Sequence, residues 1–172
     1  MKNIKKAVII IAFDKFRDEE YFDPKKALES NGISVTTASS QTGEATGKLG
    51  GRARVDILLK DIRIDEYQAV IFVGGPGSYG YFDDPAAQNI ARQSIEKGKI
   101  TAAICAGPGI LASAGVLKGR KVSCFPGIAG LVKKAGAICT GNGVEIDGDL
   151  VTADGPSNAR KFGENIAWKI LK

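Results

Sequence analysis

Three short apolar runs constrain this chain most. Ala7-Val-Ile-Ile-Ile-Ala12, Ala69-Val-Ile-Phe-Val73 and Ile100-Thr-Ala-Ala-Ile104 are nearly continuous rather than alternating. A strand with one wet face alternates apolar and polar residues, whereas a strand apolar at nearly every position is covered on both sides. Strands of that kind lie in parallel sheets flanked by helices. The intervening segments fit. Lys25 to Asn31 reads as the end of a helix stopped at Asn31-Gly32, and Pro85 to Lys97 as a helix closed by Gly98. Gly107 to Ala114 and Pro126 to Ala135 read as two shorter helices. Ser157 to Leu171 is amphipathic, with Ala159, Phe162, Ile166 and Ile170 at helical spacing and Ser157 as its cap. Ile33 to Ala38 alternates as a further strand, and Val122 to Phe125 is a short one. Thr42 to Arg54, with four glycines, reads as loop and short hairpin-like strands, and Val144 to Thr152 as a hairpin turning at Asp147-Gly148. The expected fold is α/β: a three-layer αβα sandwich around a mostly parallel, flavodoxin-like sheet, in one domain spanning residues 1–172.

Composition narrows the function classes. With 24 Lys and Arg against 19 Asp and Glu, the excess of +5 is scattered, and no basic stripe interleaved with aromatics marks a nucleic-acid surface. Ala7 to Phe13 is too short for a membrane span and lacks a signal-peptide cleavage site. Three cysteines with no CxxC spacing point away from a disulfide framework or a zinc site. The expectation is a cytoplasmic protein without metal, organic cofactor, nucleic acid or membrane partner. Histidine is absent, so no step can use an imidazole from this chain.

In such sheets ligands bind beyond the carboxyl ends of the strands. The segment Ala102-Ala-Ile-Cys-Ala-Gly-Pro-Gly-Ile-Leu111 carries the strongest chemical signal there. An apolar strand ends at Cys105, small residues follow, and Pro108 opens a helix, as a nucleophile elbow requires. The helix N-terminus is expected to favour thiolate, drawing the thiol from about 8.5 into roughly the 3.5 to 7.5 range. The plain alternative is a buried structural cysteine packing as a small hydrophobe, the reading given to Cys124 and Cys139.

The elbow resembles the active-site turn of the ThiJ/PfpI superfamily, which has the class I glutamine amidotransferase-like fold. Other segments agree in order: Glu19-Glu-Tyr-Phe-Asp-Pro24, Phe72-Val-Gly-Gly-Pro76, Ala114-Gly-Val-Leu-Lys-Gly-Arg120, Phe125-Pro-Gly127 and Asp147-Gly-Asp-Leu-Val-Thr-Ala-Asp-Gly-Pro156. The resemblance implies that Cys105 is the nucleophile. It also implies that Glu20, four residues before Pro24, is the carboxylic acid bonded to its sulfur, with Asp18 and Glu19 as substitutes if the register slips. It further implies that Gly75 and Ala106 present backbone N–H groups to an oxyanion, and that Gly74, Tyr79, Phe125, Pro126 and Asp154 surround the pocket. Departures limit the mechanism. Ala106 replaces the histidine of the protease branch, Phe125 that of the stress-protein branch, Tyr79 an acidic residue reaching across a subunit contact, and Asp154 an arginine. The implied functions are attack on small electrophiles such as reactive aldehydes, cysteine redox sensing, or PfpI-type peptide hydrolysis. The last is weakest without histidine, because the leaving amine must be protonated. A small-molecule substrate and a homodimer are implied as partners.

Overall fold

The computed structural model describes residues 3–172. In chain order its strands are β1 (Lys6–Ile10), β2 (Asp14–Phe16), β3 (Ser34–Ser39), β4 (Gly43–Gly47), β5 (Arg52–Val55), β6 (Ile57–Leu58), β7 (Ala69–Phe72), β8 (Ile100–Ile104), β9 (Lys121–Val122), β10 (Ile138–Cys139), β11 (Val144–Asp147) and β12 (Leu150–Ala153). The helices are α1 (Asp18–Ser30), α2 (Pro85–Glu96), α3 (Pro108–Ser113), α4 (Ala129–Lys134) and α5 (Ala159–Leu171). Seven strands form the main sheet in the order β11-β12-β8-β7-β1-β3-β6, all parallel except the β11–β12 hairpin.

The continuous apolar runs are the central strands. Every residue of β7 and β8 is buried, as is all of β1 beyond Lys6. Helices α1 and α5 pack on each other, α1 against β3 and α5 against β8 and β12, and form one covering layer. Gly163 permits their close approach, since a Cβ there would lie 2.6 Å from the Pro24 Cα. Helices α2 and α3 form the other layer. The sheet is thus sandwiched as expected, and its order reverses at β1, which places β3 on one side and β7 on the other. The loops after β1, β7, β8 and β12 converge beyond that point.

Lys25 to Asn31 is, as expected, the end of a helix: α1 starts at Asp18 and runs through Pro24. Three acidic residues in its first turn suit the helix dipole, and its packing against Gly163 outweighs the N–H that Pro24 lacks. The hairpin turns at Gly148-Asp149, not Asp147-Gly148. Asp147 pairs with Leu150, and its carboxylate is held by Arg120 Nε at 3.2 Å and the Lys121 N–H at 2.9 Å. Ser157 does not cap the last helix. It sits in a 3₁₀ turn, Pro156–Asn158, and Asn158 occupies the cap position without a side-chain bond. The strand expected over Val122 to Phe125 is only Lys121–Val122, and the helix from Pro126 splits into a 3₁₀ turn followed by α4.

A second, three-stranded sheet, β2-β4-β5, lies next to α1. Its β4–β5 turn is fixed by the buried Asp18 carboxylate, which accepts the Leu49 N–H at 2.8 Å and the Gly51 N–H at 2.7 Å.

Candidate active site

Strand β8 delivers Cys105 into a turn where its φ is +61°, a left-handed conformation that an L side chain rarely adopts. The position is over-determined. The Cys105 N–H donates to the Ala153 carbonyl at 2.9 Å, and the Cys105 carbonyl accepts the Phe125 N–H at 2.8 Å. The thiol is half-buried, at the floor of a cavity of about 250 Å³ lined by Arg17, Lys48, Gly75, Pro76, Tyr79, Cys105, Ala106, Phe125, Asp154 and Pro156.

Of the three acidic residues in the first turn of α1, geometry brings only one to the sulfur. Asp18 is committed to the β4–β5 turn, and Glu19 pairs with Arg17 Nε at 2.8 Å. Glu20 is fully buried. Its Oε1 accepts the Gly74 N–H at 3.1 Å, while its Oε2 lacks a well-aligned hydrogen-bond partner among the described residues. The carboxyl and the Cys105 thiol lie close enough for each to shift the other's titration.

Burial sets the electrostatics. It pushes the Glu20 carboxyl up to about 8, against the pull of the Cys105, Gly74 and Arg17 groups. It also pushes the Cys105 thiol up to about 12, reinforced by the Glu20 charge and opposed by the Ala106 N–H and Arg17. This overturns the expected lowering. Helix α3 has only six residues, and desolvation outweighs what its N-terminus offers the sulfur. Each group's charge shifts the other, so the first ionisation, near 8, belongs to the pair. Cys124 is likewise pushed up to about 12, by burial and then by its neighbour Cys139, and both thiols pack against the core.

Gly75 and Ala106 both line the cavity, and neither N–H is taken by a backbone carbonyl of a turn, loop or cap. Gly75 has φ +103°, and a Cβ there would strike the backbone of Lys15 to Arg17. Gly74 lies beneath the cavity, where a Cβ would fall 2.8 Å from the Ala106 nitrogen, from Glu20 Oε1 and from the Ile104 carbonyl oxygen. Two of these groups are backbone and cannot move aside. Gly74→Ala is therefore expected to destabilise the fold by roughly 2–4 kcal/mol and to slow Cys105 alkylation by about tenfold. Urea unfolding and mapped iodoacetamide labelling would check both effects.

Tyr79, whose hydroxyl is pushed up by burial and by the cysteine, and Phe125 form half-exposed apolar walls. Asp154 lines the cavity and accepts Asn158 Nδ2 at 2.8 Å. Pro126 does not line it, because the chain has already turned into the 3₁₀ turn Pro126–Ile128. Arg17 and Pro156 also line it; both fall in segments that directly follow strands, Asp14 to Glu20 and Asp154 to Asn158, where the sequence places the informative residues, and sequence reasoning missed Lys48. Lys48 sits on a hairpin turn with no local signal. A larger, shallower hollow of about 570 Å³, lined by Phe13, Lys15, Ser40 and Tyr81 among others, has no cysteine in its lining. No group of three or more His, Cys, Asp or Glu among the described residues could hold a metal ion, and no helix there is long and apolar enough to cross a membrane.

The DJ-1/PfpI family profile matches residues 5–169. An uncharacterized protein of Methanocaldococcus jannaschii is 39% identical over 175 residues, covering 100% of this chain and 85% of that protein. A deglycase of Pyrococcus abyssi is 35% identical, covering 96% and 99%. The crystal structure of a ThiJ/PfpI domain protein from Brachyspira murdochii superposes with a TM-score of 0.95 at 32% identity, covering 99% and 98%. The profile match begins just before β1 and ends in α5. Every loop that builds this cavity falls inside it, and the chain belongs to the DJ-1/PfpI family.

Proposed function

We propose that this protein converts small reactive aldehydes through Cys105, as a glyoxalase- or deglycase-like enzyme. The observation that carries the reading is the Cys105 thiol on a left-handed turn at the floor of a small cavity, with the fully buried Glu20 carboxyl held behind it by the Gly74 N–H. The sulfur attacks the carbonyl carbon, a C–S bond forms, and the carbonyl π pair moves to oxygen. The Gly75 and Ala106 N–H groups stabilise that oxyanion, and Glu20 takes the thiol proton and returns it to the oxygen. Glu20 suits both duties because its carboxyl titrates near 8. A cavity of about 250 Å³ suits two- to four-carbon substrates rather than a peptide chain. Relatives named deglycases support the same class of reaction. We include a homodimer in this proposal, because Tyr79 and Phe125 leave apolar surface exposed at the mouth.

The test is incubation of the purified protein with methylglyoxal and glyoxal. Catalytic loss of each, with stoichiometric lactate or glycolate, supports the proposal. Loss no faster than with an equal concentration of small-molecule thiol overturns it. The unpartnered Glu20 Oε2 also favours a second reading, in which it hydrogen-bonds an oxidised Cys105 sulfur. An intact mass unchanged after mild hydrogen peroxide would dismiss that reading.

A further inference from the structure

We infer that the cavity selects aldehydes that carry an anionic group, a carboxylate or a phosphonate or phosphate, and that Lys48 together with Arg17 forms the recognising subsite. The inference rests on the reading of Cys105 as a carbonyl nucleophile. Three lining side chains are charged: Lys48, Arg17 and Asp154. Asp154 is engaged by Asn158, and its pairing with neither cation leaves both available. Glu19 takes Arg17 Nε at 2.8 Å and one further nitrogen at 3.2 Å, so the far edge of that guanidinium still has free N–H groups. Lys48 enters no ion pair or side-chain hydrogen bond among the described residues.

A surface lysine on a loose loop would carry no argument, but this turn is built. The Lys48 N–H donates to the Phe16 carbonyl at 2.8 Å, and the next N–H, that of Leu49, goes to the buried Asp18 carboxylate, as does that of Gly51. A Cβ on Gly47 or Gly51 would run into that carboxylate. The Arg17 N–H is tied to the Gly74 carbonyl at 3.1 Å, directly beneath the site. Both cations are thus carried on backbone fixed to the wall of the cavity, and the ordering cost of binding an anion is largely met in the free protein.

Charge selection can be read without turnover. Iodoacetate and iodoacetamide differ by one charge, and each alkylates the sulfur with a C–S bond formed, iodide expelled and the thiol proton released. Peptide mapping isolates the rate at Cys105 from those at Cys124 and Cys139. The iodoacetate-to-iodoacetamide rate ratio should exceed that of a free small-molecule thiol and fall about three- to tenfold in Lys48→Gln, further with Arg17→Gln. It should also shrink as salt rises. A ratio within about twofold of wild type in the double variant overturns the inference. Glyoxylate, phosphonoacetaldehyde and neutral glycolaldehyde then compete with iodoacetamide. Better protection by one of the two anions supports the inference and identifies the group. Equal protection by all three overturns the selection but leaves the nucleophile intact. Protection by none overturns the carbonyl chemistry, and with it the aldehyde selection, while a Lys48-dependent alkylation ratio would preserve anion recognition at Cys105.

Discussion

Cys105→Ala is expected to lower kcat/KM for small aldehydes by at least about 10³-fold, because the cavity holds no second thiol to form the C–S bond. Cys124 and Cys139 are not among its lining residues. Cys139→Ser should therefore keep activity within about threefold of wild type, which separates a specific nucleophile from general thiol chemistry. Folding should survive the alanine change. The left-handed turn at +61° is held by backbone bonds from Ala153 and Phe125, which a Cβ-bearing residue retains. Losing the thiol also leaves Glu20 free to stay protonated, so a urea midpoint close to wild type is expected. Lactate formation and urea unfolding on the same preparations read both quantities. An alanine variant that folds normally and still turns over aldehyde would remove Cys105 from the mechanism.

How far the chain could be read from its residues follows from what each signal depends on. The strands β1, β7 and β8 were visible because burial on both faces demands apolar residues at consecutive positions, and every residue of β7 and β8 is indeed buried. The elbow was visible because a strained turn needs small residues after the strand and a helix start soon after it. The start of α1 carries no such mark, since Arg17 at its cap position makes no side-chain cap bond. The hairpin turn was misplaced by one residue because Asp147, a good turn former, is bound by Arg120 instead. The direction of the Cys105 shift was misjudged for a similar reason. A helix N-terminus is written in local sequence, whereas the desolvation that outweighs it comes from residues far apart in the chain. Lys48 escaped notice altogether, since its place at the mouth depends on Asp18, thirty residues earlier, holding its turn.

Glu20→Gln should separate the acid's chemical role from its structural cost. Glutamine keeps the shape and the contact with the Gly74 N–H but cannot exchange a proton, so kcat should fall by about 10²–10³-fold. Alkylation of wild-type Cys105 should rise with pH through about 8, where the Glu20 carboxyl titrates, and that limb should vanish in the glutamine variant. Stability should move the opposite way. The carboxyl titrates at about 8 when folded against 4.5 ordinarily, so between these values the folded state holds a proton that the unfolded state has lost. Its contribution is therefore full below 4.5 and is lost as pH rises through 8. Glutamine carries no such dependence. The variant and wild type should unfold within about 1 kcal/mol of each other at pH 5, and the variant should be the more stable by roughly 2–4 kcal/mol at pH 8. Urea midpoints at the two pH values give the comparison. A gap that stays constant, or an alkylation limb that remains near 8 without the carboxyl, would mean that the proton near the sulfur belongs to some other group.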